Sequence, residues 1–94
     1  MESQFIVVAY DIRDNRRRTK VFKALKNFGT PVQESVFECV LDKQAFQSMK
    51  SKVNQVMDVR EDAVRYYVLC GSCRERIAAT GVPITQEQVA VFVG

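Results

Sequence analysis

Ninety-four residues, nearly half of them hydrophobic, suffice for one packed domain and leave no room for a second core. Histidine is absent, which removes any His base, His nucleophile or His-ligated zinc. The three cysteines are an odd number, ill-suited to a disulfide framework, and the net charge of +3 is modest but concentrated in residues 13–26. No apolar run approaches a membrane span, and Met1-Glu2-Ser3-Gln4 does not resemble a signal peptide, so a soluble cytoplasmic protein is expected. Hydrolysis near neutral pH would fall to carboxylates holding a metal and an activated water.

The first element is Phe5-Ile6-Val7-Val8-Ala9-Tyr10-Asp11-Ile12, an apolar run with the character of a strand buried on both faces. It ends in one acid and is followed by Arg16-Arg17-Arg18. A strand-end carboxylate facing guanidinium groups suits binding of a divalent metal and phosphate together. It equally suits a structural carboxylate paired with Arg17 or Arg18. Asp14-Asn15 offers N-cap chemistry for a helix from about Arg16 to Phe28, stopped by Gly29 and Pro31. Val21, Leu25 and Phe28 form its apolar stripe, with Phe22 and Ala24 flanking, while Arg16, Lys20, Lys23 and Lys26 gather opposite. Cations in a first helical turn oppose the macrodipole at about 0.3–1 kcal/mol each, a hint that an anion arrives there. The basic face lacks aromatics, so it suits phosphate contact without base reading, if it is more than solvated charge.

Val32 to Leu41 reads as the second strand, with Phe37, Cys39 and Leu41 on one face. Lys43 to Met57 reads as a second helix, with Ala45, Phe46, Met49, Val53 and Val56 at core spacing. Ala63 to Cys70 is a third strand, Arg76-Ile77-Ala78-Ala79 a candidate short one, and Val89 to Val93 a last one. Cys70-Gly71-Ser72-Cys73 has C-x-x-C spacing. Zinc would need two more ligands and only Cys39 remains, so packing is preferred. The order fits a single α+β domain over 1–94, ferredoxin-like βαββαβ with an additional C-terminal strand.

Two helices cover one face of such a sheet, yet the strands are apolar on both. A face-to-face homodimer solves this. Alternation places Asp11 with Phe5, Val7 and Ala9, and Tyr10 opposite. On a dimer face the Asp11 carboxylates of two copies would meet across the axis, and a pair with waters makes a reasonable Mg²⁺ site where one is poor.

Tyr10-Asp11-Ile12 with Asp14, Arg18 and Val21, Gln33-x-Ser35-Val36-Phe37-Glu38, and Tyr67-x-Leu69-Cys70 with Cys73 and Arg76 resemble the CRISPR-associated protein two family, from Phe5 to about Gly81. The resemblance implies a homodimer acting in CRISPR adaptation, where it bridges two dimers of the CRISPR integrase and helps to hold a short DNA duplex. Many members have been described as metal-dependent endonucleases on single-stranded RNA or double-stranded DNA. The family's metal ligand falls on Asp11, with Mg²⁺ or Mn²⁺ as the ion, and its arginine and phenylalanine fall on Arg18 and Phe37, giving Asp11, Arg18 and Phe37 as the catalytic set. Arg16, Arg17, Arg18, Lys20 and Lys23 are the nucleic-acid-binding set. Some members carry a basic residue before the Val-Gln pair; Pro31 stands there, a departure from the RNA-cleaving pattern. Three function classes follow: a metal-dependent endonuclease, a non-catalytic DNA-binding subunit of the integrase complex, and a toxin-like ribonuclease of related fold.

Overall fold

The computed structural model describes residues 3–69, which form β1 (Gln4–Asp11), α1 (Asn15–Lys26), β2 (Gly29–Gln33), β3 (Val36–Leu41), α2 (Lys43–Val56) and β4 (Ala63–Leu69). This is the βαββαβ order of the expected ferredoxin-like fold, with two strands between the helices where one, Val32 to Leu41, was expected. The candidate strands at 76–79 and 89–93, and the Cys70–Cys73 pair, lie outside the described residues. The strands make one antiparallel sheet in the order β2-β3-β1-β4, so the apolar β1 run occupies a central position.

Alternation along β1 sets the layers. Ile6, Val8 and Tyr10 point into the core with Phe37, Cys39 and Leu41 of β3, and the helices close it with Val21, Phe22, Leu25, Met49 and Val53. Phe5, Val7, Ala9 and Asp11 take the other face, in register with Val40, Glu38 and Val36 on one side and Leu69, Tyr67, Arg65 and Ala63 on the other. Among the described residues both helices lie on one side. Val40 and Tyr67 remain 49% and 46% exposed.

Both helices begin on an aspartate. The Asp14 carboxylate accepts the Arg17 N–H at 3.0 Å, and Asp42 accepts that of Ala45 at 2.7 Å. Helix α1 ends at Lys26, short of the expected Phe28. Gly29 and Pro31, expected as helix stops, instead open β2. At Gly29 a Cβ would overlap the Cys39 Sγ and the Glu38 carbonyl, so the close approach of β2 to β3 requires glycine.

The segment expected as one strand, Val32 to Leu41, is two. The chain reverses at Glu34-Ser35, Gln33 pairs with Val36, and Ser35 adopts φ 63°. The turn carries no Gly, Pro or Asn, the residues that usually mark a reversal. A bulge between Pro31 and Gln33 lets the short outer strand follow its neighbour.

Candidate active site

Asp11 is the last residue of the central strand, and its side chain is exposed on the sheet face that the helices leave open. Two contacts fix this strand end: Asp11 is in register with Ala63 of β4, and the Tyr10 N–H donates to the Ser35 carbonyl at 3.0 Å. Among the described residues Asp11 forms no ion pair. The structural alternative, pairing with Arg17 or Arg18, is therefore not what this chain does.

The two arginines have other partners. Arg17 donates from Nε to Asp62 Oδ2 at 2.8 Å and from Nη2 to Asp62 Oδ1 at 3.2 Å, with Glu61 at 3.3 Å beside it. Among the described residues Asp62 is the one buried charged side chain. It also accepts the backbone N–H of Arg13 at 3.0 Å and of Asp58 at 2.9 Å. The Arg17 guanidinium holds the Asp62 carboxyl well below the usual carboxylate range against the opposing effect of burial, with the two N–H groups assisting. Arg17, expected among the nucleic-acid-binding residues, thus ties the start of α1 to the turn before β4. Arg18 reaches back to the Ile12 carbonyl at 2.9 Å and to Asn15, one residue beyond Asp11. A guanidinium has five N–H donors, so Arg18 keeps donors for a phosphate there.

Phe37 does not accompany Asp11. It is 1% exposed, lies on the helix side of β3, and packs against Phe22 and Tyr10 with ring centroids at 5.3 and 6.3 Å. Its place in the catalytic set is corrected to core packing: the alternation that exposes Asp11 turns Phe37 inward. Tyr10 is core likewise, its hydroxyl buried without a partner and pushed up to about 12 by burial.

Arg16, Lys20, Lys23 and Lys26 stand exposed along the outer side of α1. Lys26 lies over the Phe22 ring, while Lys50 and Lys52 of α2 lie over Phe46 and Phe28. Helix α1 carries six Lys or Arg side chains and α2 three, and neither carries an acid. The helix layer is therefore uniformly basic, while Asp11 and Glu38 lie on the opposite sheet face. Asp62 is the site residue the sequence did not disclose. Its only local signal is an acid immediately before a strand.

The family model of CRISPR associated protein Cas2 matches residues 4–77. The chain belongs to that family. The CRISPR-associated endoribonuclease Cas2 1 of Chloroflexus aurantiacus is 42% identical over 78 residues, covering 82% of this chain and 84% of the relative. The CRISPR-associated endonuclease Cas2 2 of Thermus thermophilus is 39% identical over 71 residues, covering 76% and 79%. Among solved structures, hypothetical protein TT1823 from Thermus thermophilus superposes with a TM-score of 0.78 at 35% identity, covering 88% of this chain and 96% of its own. Cas2 of Streptococcus pyogenes superposes at 0.74 with 29% identity, covering 82% and 99%. The Cas2 fold expected from the sequence is the fold observed.

Among the described residues no group of three His, Cys, Asp or Glu side chains could hold an ion. Among the described residues Asp11 is exposed, has no ion pair and lies on the sheet face opposite the helices, so the residues present would fit a divalent ion if a second copy brought its own Asp11.

Proposed function

We propose that this Cas2 chain is a divalent-metal-dependent endonuclease, working as a face-to-face homodimer with the CRISPR integrase in spacer acquisition. The observation that carries this reading is Asp11: an exposed carboxylate without an ion pair among the described residues, at the end of the central strand, on the sheet face opposite the helices. Family membership and relatives named endoribonuclease and endonuclease support phosphodiester cleavage as the chemistry. Asp11 from each of two copies would hold Mg²⁺ or Mn²⁺. Such an ion supplies a nucleophile at neutral pH and neutralises charge developing on the phosphate. Arg18, held at the Ile12 carbonyl, would steady the phosphate group, and Arg16, Lys20 and Lys23 would contact the backbone without reading sequence.

A second reading has its own observation. One carboxylate per chain, with no three-ligand cluster among the described residues, also fits a DNA-binding assembly subunit that cuts nothing.

The two separate in one assay. Wild type and Asp11→Asn are compared on duplex DNA and single-stranded RNA, with Mg²⁺ or Mn²⁺ and with chelator. Wild type should cleave only with metal, and Asp11→Asn should fall to background while folding and binding nucleic acid normally. Equal cleavage by both proteins would place the activity elsewhere. A wild type that cuts neither substrate leaves the assembly role.

A further inference from the structure

We propose that Asp62 is the positioning residue for Asp11, an inference that rests on the reading of Asp11 as a metal ligand. Nothing in the sequence pattern points to it, and it touches no reacting atom. Its place follows from what its two oxygens hold. Oδ1 accepts the Arg13 N–H and Arg17 Nη2, while Oδ2 accepts Arg17 Nε and the Asp58 N–H. Three segments are joined at one carboxylate: the turn leaving β1, the first turn of α1, and the turn entering β4.

Asp11 lies between two of those anchors. Two residues after it, the Arg13 N–H is fixed to Asp62, and across the ladder its partner is Ala63, the residue next to Asp62. The outgoing chain and the neighbouring strand are therefore clamped to the same buried group. The carboxylate of Asp11 has no ion pair to hold it among the described residues, so its position depends on this backbone clamp. A site assembled from one carboxylate on each of two copies depends steeply on that position, because no other protein ligand compensates for a displaced one.

Asp62→Asn tests this on the full chain. Asparagine keeps the shape but offers one acceptor oxygen to four N–H donors, so part of the clamp must open. Two readouts are followed: residue-resolved amide exchange, and Mn²⁺ titration by electron paramagnetic resonance with half-saturation for cleavage alongside. Exchange should rise at Asp11, Ile12 and Arg13 while β3 and α2 stay protected, and half-saturating Mn²⁺ should rise about tenfold or more. Nucleic-acid KM should change less than the Mn²⁺ half-saturation, since Lys20 and Lys23 stand beyond the clamped first turn of α1. The double variant Asp62→Asn with Arg17→Gln removes the stranded cation. It should recover melting temperature without recovering Mn²⁺ affinity. Recovery of both, or unchanged exchange at residues 11–13, or unchanged Mn²⁺ half-saturation, overturns the proposal. A wild type that binds no Mn²⁺ sinks the metal reading of Asp11 instead, and the exchange comparison then decides alone whether Asp62 fixes the strand end.

Discussion

Asp62 stays ionised inside the protein because four N–H groups converge on it, and the same arrangement makes it a pH-dependent contributor to stability. Its folded pKa lies below the unfolded value of about 3.9, so the contribution is present above that value and is lost progressively as pH falls from it through the lower folded pKa. Asp14, lowered by the Arg17 N–H it accepts, acts in the same direction. Melting temperature of wild type should therefore fall continuously below about pH 4.5, whereas Asp62→Asn should start lower and fall less over the same range. Parallel curves would show that the buried carboxylate does not dominate acid sensitivity. Phe37 makes a different kind of prediction. Truncating a buried phenylalanine to alanine costs about 3–5 kcal/mol, a large share of a small domain's stability. Phe37→Leu should remain folded with a lower melting temperature, and its cleavage per folded molecule should equal that of wild type. Lost activity without a thermal penalty would return Phe37 to the substrate.

At the scale of elements, α1 combines a buried stripe of Val21, Phe22 and Leu25 with an exposed row of cations. Replacing Lys20 and Lys23 with glutamine removes two charges from that row and should lower the slope of log affinity against log salt by roughly 1–2. An unchanged slope would exclude this face from the backbone. These elements also show which features were legible in the sequence. Helical spacing makes α1 and α2 legible, and a continuous β-branched apolar run makes β1 legible, because each is a local pattern. The hairpin was not legible: Glu34-Ser35 is unmarked turn chemistry, and the apolar residues on either side run together. Gly29 was recognised as a breaker but assigned to the helix end, since its steric need comes from Cys39 and Glu38 across the sheet. For the site, Asp11 and Arg18 come from pattern and resemblance, whereas the burial of Phe37 was not legible, because a motif does not state which way a side chain turns. Asp62 could not be seen at all, since Arg17 lies 45 residues away in the chain.

For the whole molecule, the decisive quantity is the open sheet face. Among the described residues it presents Val7, Ala9, Val36, Val40 and Tyr67 around Asp11 and Arg65, with Val40 and Tyr67 about half exposed. Light scattering at micromolar concentration should give about twice the chain mass, in keeping with a C2 pair. Mixed dimers holding one Asp11→Asn chain should lose most of their activity, because one carboxylate remains where two are needed. Half-retained activity would mean that each chain holds its own ion.

The segregation of charge between the helix layer and the sheet face has a kinetic consequence. On the proposed function, long-range attraction would bring a polyanion to the helices, fastest at low ionic strength, whereas the carboxylate lies on the other side of the sheet. Capture and cutting would then be successive events on different surfaces. A strand must be long or bent enough to reach round the end of β1 before any bond is at risk. Chain length would thus raise occupancy first and turnover only beyond a threshold, and short oligonucleotides would behave as tight-fitting competitors that survive intact.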